Sequence, residues 1–122
     1  MRGSEIAGGA PFAMQRLGRR LVVPVPDALD RAGLDALRDA VLAAVSATRA
    51  RALVFDLSAV TAADSVQAGA VAAIARMARL LGARVGIAAM RPGVAAALAA
   101  LGFTPDDAVT ARTVDDALAR LG

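Results

Sequence analysis

Residues 51–66 read Arg51-Ala52-Leu53-Val54-Phe55-Asp56-Leu57-Ser58-Ala59-Val60-Thr61-Ala62-Ala63-Asp64-Ser65-Val66, and this stretch decides the fold class. Leu53-Val54-Phe55 is a contiguous apolar run with no polar alternation. Such a run fits a strand covered on both faces, as in a parallel sheet flanked by helices. Asp56 closes the run, and residues 58–63 read as a loop. Asp64-Ser65 then opens a helix expected over about 65–81. Either side chain is an N-cap candidate, because each offers an oxygen to the orphan N–H groups of a first turn. Val66, Ala70, Ile74, Met77 and Leu81 recur at spacings of three and four, which predicts a buried stripe. Gln67, Arg76 and Arg79 fall off it. Gly82 stands where a left-handed residue ends a helix.

The same alternation continues in both directions. Upstream, Leu21-Val22-Val23-Pro24-Val25 is a short β run. Pro24 cannot donate to a ladder, which predicts a strand at an edge or bent at that point. Asp27 and Asp30 are N-cap candidates for a helix over about 31–48. Leu34, Leu37, Val41, Val45 and Thr48 share one face of it. Downstream, residues 84–90 form a third strand, with Gly86 expected at a close-packing position or a bulge. Pro92 and Gly93 start a third helix, and Gly102 ends it. Residues 108–111 are a weak last strand. Thr113 caps a final helix with Asp115 and Asp116 in its first turn, where acids favour the helix dipole. The order β-α-β-α-β-α-β-α predicts one α/β domain, with a mostly parallel four-stranded sheet and about four helices. Residues 1–13 are small, Gly-rich and aperiodic, and read as a flexible leader before a domain at 14–122; Met14 is a possible alternative start.

Composition narrows the chemistry. The chain has 122 residues, with no Cys and no His. A domain of this size buries roughly two-thirds of its unfolded surface and needs no disulfide or metal staple. Lys, Tyr and Trp are also missing. Thiol catalysis, imidazole bases, Schiff bases and thiolate or imidazole metal ligands are thereby removed together. No metal, no cofactor and no enzymatic activity are expected. The isoelectric point of about 11.2 invites a nucleic-acid reading. The charge map argues against it. Residues 1–20 hold Arg2, Arg16, Arg19 and Arg20 against Glu5, while residues 21–122 hold ten Arg and ten Asp. Stacking aromatics are limited to Phe12, Phe55 and Phe103. Nucleic acid is not an expected partner. The longest uncharged run, 92–105, contains Pro92, Gly93 and Pro105 and falls short of the roughly 18–20 apolar residues of a membrane span. The cytoplasm is the expected compartment, with no membrane partner.

Asp64-Ser65 is the strongest local feature. Simple capping explains it from pattern alone. The same geometry also suits a modified serine, since a phosphate on Ser65 would meet free N–H groups and the positive end of the helix dipole. Asp56 and Asp64 could form a carboxylate pair, but an acid–base or metal role needs another ligand or a shifted pKa, and no pattern in the sequence indicates one. A phosphoaspartate receiver is rejected, because the first strand ends in Val25-Pro26-Asp27 without an acidic pair and no lysine exists. No G-x-G-x-x-G, G-x-x-x-x-G-K or G-x-S-x-G pattern is present.

The run Leu53-Val54-Phe55-Asp56-Leu57-Ser58-Ala59-Val60 with Ala63-Asp64-Ser65 resembles the STAS domain of anti-sigma factor antagonists. Met77-Ala78-Arg79-Leu80-Leu81-Gly82-Ala83, Met90-Arg91-Pro92-Gly93-Val94-Ala95 and Leu101-Gly102 are similar to the stressosome-scaffold branch of that family, as is the opening Leu21-Val22-Val23-Pro24-Val25. The resemblance covers about 14–122. Asp64-Ser65-Val66-Gln67 departs from the Asp-Ser-Ser-Gly of sporulation-type antagonists, and Val66 replaces the bulky residue common after the pair. The resemblance implies a STAS-like fold and a non-enzymatic scaffold that sequesters an RsbT-like serine/threonine kinase. It implies an RsbR-like STAS co-antagonist and a homo- or hetero-oligomer. It makes Ser65 the phosphoacceptor, with Asp64, Val66 and Asp56 contacting partners around it. Ser58 and Thr61 are weaker acceptor candidates on the same loop. Two alternatives remain: direct binding of an anti-sigma kinase, and a module that binds a small ligand or serves a lipid transport complex.

Overall fold

The computed structural model describes residues 5–6 and 12–122. Its elements are β1 (Glu5–Ile6), β2 (Gln15–Leu17), β3 (Arg20–Pro24), α1 (Arg31–Thr48), β4 (Ala52–Asp56), α2 (Ser65–Leu80), β5 (Arg84–Ala88), α3 (Pro92–Ala100), β6 (Val109–Ala111) and α4 (Val114–Leu121). One sheet carries the strands in the order β1-β2-β3-β4-β5-β6. The pairs β3–β4, β4–β5 and β5–β6 are parallel, while β1–β2 and β2–β3 are antiparallel. The four expected strands are those from β3 onward. The two added N-terminal strands span two and three residues, too short for any periodicity to reveal. Gly18, at φ 65°, turns the chain between β2 and β3 in a conformation that costs glycine nothing. Of the leader expected at 1–13, Glu5 and Ile6 pair with β2 and Phe12 packs against the core; residues 1–4 and 7–11 lie outside the described residues. Met14 is fully buried.

The strand carrying Pro24 is not an edge strand, but β2 pairs with it only as far as Val22 and leaves Pro24 open on that side. The strand β3 lies between β2 and β4, and Pro24 is its last residue. The ladder resumes one position later, where the Val25 N–H donates to the Asp56 carbonyl at 3.0 Å. The missing donor therefore falls at the one place in the strand where little pairing is lost.

The strand β4 is the centre of the domain: Leu53, Val54 and Phe55 are all fully buried. Alternate residues serve opposite faces. Leu21, Val23, Leu53, Phe55, Val85 and Ile87 join one core with the inner faces of α1, α2 and α3. Val22, Val54 and Ala88 join a second, smaller core with Ala117, Leu118 and Leu121 of α4. Burying a side chain the size of Leu53 or Phe55 stabilises the fold by about 1.5–3 kcal/mol. Gly86 sits on the α4 face. A Cβ there would lie 3.1 Å from Leu121 Cδ1 and 3.4 Å from Ala117 Cβ, so the expected close packing is present.

The helix α1 buries Leu34, Leu37, Val41 and Val45 as its periodicity predicts, and Thr48 is half-buried with its hydroxyl on the Ala44 carbonyl. In α2 the expected stripe is fully buried only at Ile74; Ala70 and Met77 are half-buried, and Val66 and Leu81 are exposed. The helix buries Ala68, Val71, Ala72, Ile74, Ala75 and Ala78 instead. Val66, Leu80 and Leu81 are 45%, 88% and 51% exposed. Small alanines let α2 approach the sheet closely, so the larger side chains, which pattern reading takes for core, turn outward. Gly82, at φ 97°, ends α2 in the expected left-handed position.

Candidate functional site

The carboxyl ends of parallel strands form the usual binding edge of an open α/β sheet. Here that edge is built by the β3–α1 loop, by residues 57–64 after β4, and by the β5–α3 connection. Asp56 ends β4 and is half-buried. Its Oδ1 accepts the Ser58 N–H at 3.0 Å, which makes a local turn of the kind Asp favours. Leu57 and Val60 then anchor the loop by burying their side chains. The Leu57 N–H donates to the Ala88 carbonyl, and the Val60 N–H to the Leu57 carbonyl, each at 3.0 Å.

Asp64 caps α2. Its Oδ1 accepts the Gln67 N–H at 2.8 Å, and the Asp64 N–H donates back to Gln67 Oε1 at 3.1 Å. This is a reciprocal capping box. Ser65 is thus the first helical residue, not the cap. It is exposed, and no hydrogen bond engages its hydroxyl among the described residues. Val66 is exposed beside it and lines a groove between α1 and α2 with Arg31, Ala70, Ala73 and Met77. Ser58 is exposed, and its carbonyl accepts from Arg91 Nη2 at 3.3 Å. Thr61 is exposed but engaged: its hydroxyl donates to Asp27 Oδ2 at 2.9 Å and its N–H to Asp27 Oδ1 at 3.2 Å. These bonds hold the Asp27 carboxyl below its ordinary value, and the nearby Arg91 guanidinium adds a smaller push the same way.

The structure therefore gathers Asp56, Ser58, Thr61, Asp64, Ser65 and Val66 along one strand–loop–helix junction. Asp56 and Asp64 do not act as a pair, because each carboxylate is committed to its own backbone turn. No group of three potential metal-ligating side chains occurs among the described residues. Asp27 and Gln67 are the residues that pattern reading missed. Asp27 is not a helix cap; Asp30 caps α1 by accepting the Gly33 N–H at 2.8 Å. Gln67 is half-buried, and its Nε2 reaches the Leu29 carbonyl at 3.2 Å. The spacing Asp64-x-x-Gln67 was the available signal for the second, since it matches a capping box. Nothing local pointed to the first, whose partner lies 34 positions away. Beside the junction lies a small, partly open apolar pocket of about 30 Å³ lined by Val25, Leu29, Leu57, Val60, Ala63 and Ala68. No described helix is long and apolar enough to cross a membrane.

A mostly parallel sheet, helices on both faces and a capped helix start at its carboxyl edge define an open-sheet α/β domain. The chain belongs to the STAS domain family, whose model matches residues 11–117. Among solved structures it is similar to RsbS of Moorella thermoacetica in a serine-to-glutamate variant, with 23% identity, a TM-score of 0.81, and coverage of 91% of this chain and 94% of that one. It is also similar to a chain of the stressosome, at 24% identity and a TM-score of 0.79, covering 88% and 94%. An anti-sigma factor antagonist from Mycobacterium paratuberculosis shares 28% identity at a TM-score of 0.71, covering 88% and 90%. No curated protein matches the sequence.

Proposed function

We propose that this chain is a non-enzymatic, cytoplasmic partner-switch component of the RsbS type. In this reading it holds an RsbT-like serine/threonine kinase within an assembly that includes an RsbR-like STAS protein. Phosphorylation on Ser65 releases the kinase. The chain contributes only the acceptor: the γ-phosphoryl group of ATP passes to Ser65 Oγ, ADP leaves, and the kinase takes the hydroxyl proton. Asp64, Val66 and Asp56 form the surface that partners read around it. Neither nucleic acid nor a membrane takes part.

One observation carries this reading. Asp64 already caps α2, so the exposed Ser65 hydroxyl is spare. A phosphate on it would sit at the positive end of a sixteen-residue helix, where anions are stabilised. Thr61 is a poorer acceptor, since its hydroxyl is held by Asp27 and a phosphate there would face a carboxylate. Ser58 has a free hydroxyl but lies on the turn held by Asp56 and Arg91.

The test is incubation with an RsbT-like kinase and ATP, followed by phosphosite mapping. Label on Ser65, lost in Ser65→Ala, is the expected result. Normal labelling of Ser65→Ala would sink the assignment. The second reading, an antagonist that binds an anti-sigma kinase directly, draws on the likeness to the mycobacterial antagonist. Copurification of such a kinase with its sigma factor, and no large assembly, would favour it. At the junction itself the ligand-binding reading has little room, because the apolar pocket there measures about 30 Å³.

A further inference from the structure

We propose that Asp27 and Gln67 are positioning residues that tie the β3–α1 loop to the Ser65 turn, so that the two segments move as one unit. Two independent bridges make the tie. Asp27 accepts both the N–H and the hydroxyl of Thr61. Gln67 donates from Nε2 to the Leu29 carbonyl while its Oε1 completes the α2 cap. The bridges thus start from residues on either side of Ala28. That residue adopts φ 56°, a left-handed conformation that is costly for a residue with a Cβ. Such strain persists only where the surroundings over-determine it.

Apolar packing holds the two segments against each other, and the polar bridges add direction to it. The two segments line a small apolar pocket of about 30 Å³, with Val25, Ala28 and Leu29 from one and Val60, Ala63 and Ala68 from the other. Val25 and Leu29 from one segment and Leu57, Val60, Ala63 and Ala68 from the other share one apolar core, and the directional polar bonds fix the register of what that packing brings together. Arg91 clamps the far end of the acceptor loop at the Ser58 carbonyl. The consequence is that any change at Ser65 is felt in the β3–α1 loop, which extends the surface a partner reads. The significance for phosphorylation rests on the switch reading above; the mechanical tie does not.

Residue-resolved amide exchange on the full chain tests the tie without a kinase. In Asp27→Ala, exchange should rise about tenfold at Thr61 and also at Gln67 and Ala68, since a bond to a charged acceptor is lost. In Gln67→Ala, exchange at Thr61 should rise although its own partner is intact. Asp27→Asn keeps an acceptor and should restore most of the protection. Acceleration at Thr61 alone in Asp27→Ala, with Gln67 and Ala68 unchanged, overturns the proposal. With an RsbT-like kinase, Asp27→Ala should raise KM for this chain more than it lowers kcat. Ser65 labelled normally with no change in exchange would leave the switch and overturn the tie. Faster exchange with no label on Ser65 would leave the tie and overturn the switch.

Discussion

Replacing Asp64 and Ser65 separately decides which of them holds the start of α2. Asp64→Ala removes the 2.8 Å bond to the Gln67 N–H and leaves the returning bond from the Asp64 N–H without its reciprocal partner. Loss of an N-cap of this kind costs about 1 kcal/mol. The carboxylate also sits at the positive end of the helix dipole, which adds about 0.3–1 kcal/mol at an exposed site. Asp64 is exposed, so water takes over part of the lost bonding and the sum stays near the middle of these ranges. The expectation is about 1–1.5 kcal/mol of destabilisation. For a chain of this length that is a fall in Tm of about 3–6 °C.

Ser65→Ala removes no bond, and alanine is the better helix former, so its stability should stay within about 0.5 kcal/mol of the parent. Asp64→Asn keeps a capping oxygen without the charge and should lose only the dipole part, about 0.3–1 kcal/mol. Urea unfolding followed by far-UV circular dichroism measures all three, with the midpoint as the readout if the slope is unchanged. Equal losses in Ser65→Ala and Asp64→Ala would refute the assignment of the cap. That result would also disqualify Ser65→Ala as a clean control in phosphorylation assays, because the variant would then be changing the fold as well as the acceptor.

Gly86→Val should destabilise by about 1–3 kcal/mol, because its Cβ meets Leu121 and Ala117 and its methyl groups drive further into α4; equilibrium unfolding checks this, and a neutral variant contradicts the close approach. Leu80→Gln should be neutral within about 0.5 kcal/mol, whereas Ala75→Val should cost about 1–3 kcal/mol, because α2 turns its alanines inward and Leu80 outward; thermal melts of the two variants read the orientation of α2. Acid stability should depend on Asp27 and Asp107. Both carboxyls are held below their ordinary value of 3.8, Asp27 mainly by the Thr61 hydroxyl and Asp107 mainly by the Thr104 N–H. A lowered folded value means stability that is present above about pH 3.8 and lost as the pH falls through the lower value. A Tm-against-pH series should therefore fall less steeply below pH 4 in Asp27→Asn with Asp107→Asn than in the parent.

The sequence made the central strands and helices legible because their signals are local. Contiguous Leu53-Val54-Phe55, the spacing of Leu34, Leu37, Val41 and Val45, and Gly82 after a helix each state their own role. What stayed hidden was decided by partners distant in sequence. The inward face of α2 could not be read from size, since Ala68, Ala72, Ala75 and Ala78 are buried where larger residues are not. The place of the strand carrying Pro24 inside the sheet depended on β2, a three-residue strand with no pattern. Ser65 and its loop neighbours were legible by position. The division of labour among them was not, because Thr61 answers to Asp27 and Gln67 to Leu29 across more than thirty residues.

That division bears on how a switch could work in so small a domain. Asp64 supplies the cap whether or not Ser65 is modified, so the helix start does not depend on the acceptor hydroxyl. A phosphate on Ser65 would gain from the helix dipole by an amount of order 0.3–1 kcal/mol, small beside the stability of a domain. Two added charges therefore have little reason to unfold α2, and the same charges are costly or favourable to a partner according to what it presents. The outward side chains near them are Val66 and, through the ties at Asp27 and Gln67, the β3–α1 loop. In such an arrangement the energy of switching resides in the interface and the domain remains a rigid platform. A phosphomimetic Ser65→Glu should accordingly match the parent in unfolding midpoint while losing or gaining its partner by tenfold or more, a change of about 1.4 kcal/mol in binding. A large drop in stability together with the change in binding would place the switch in the fold of α2 instead.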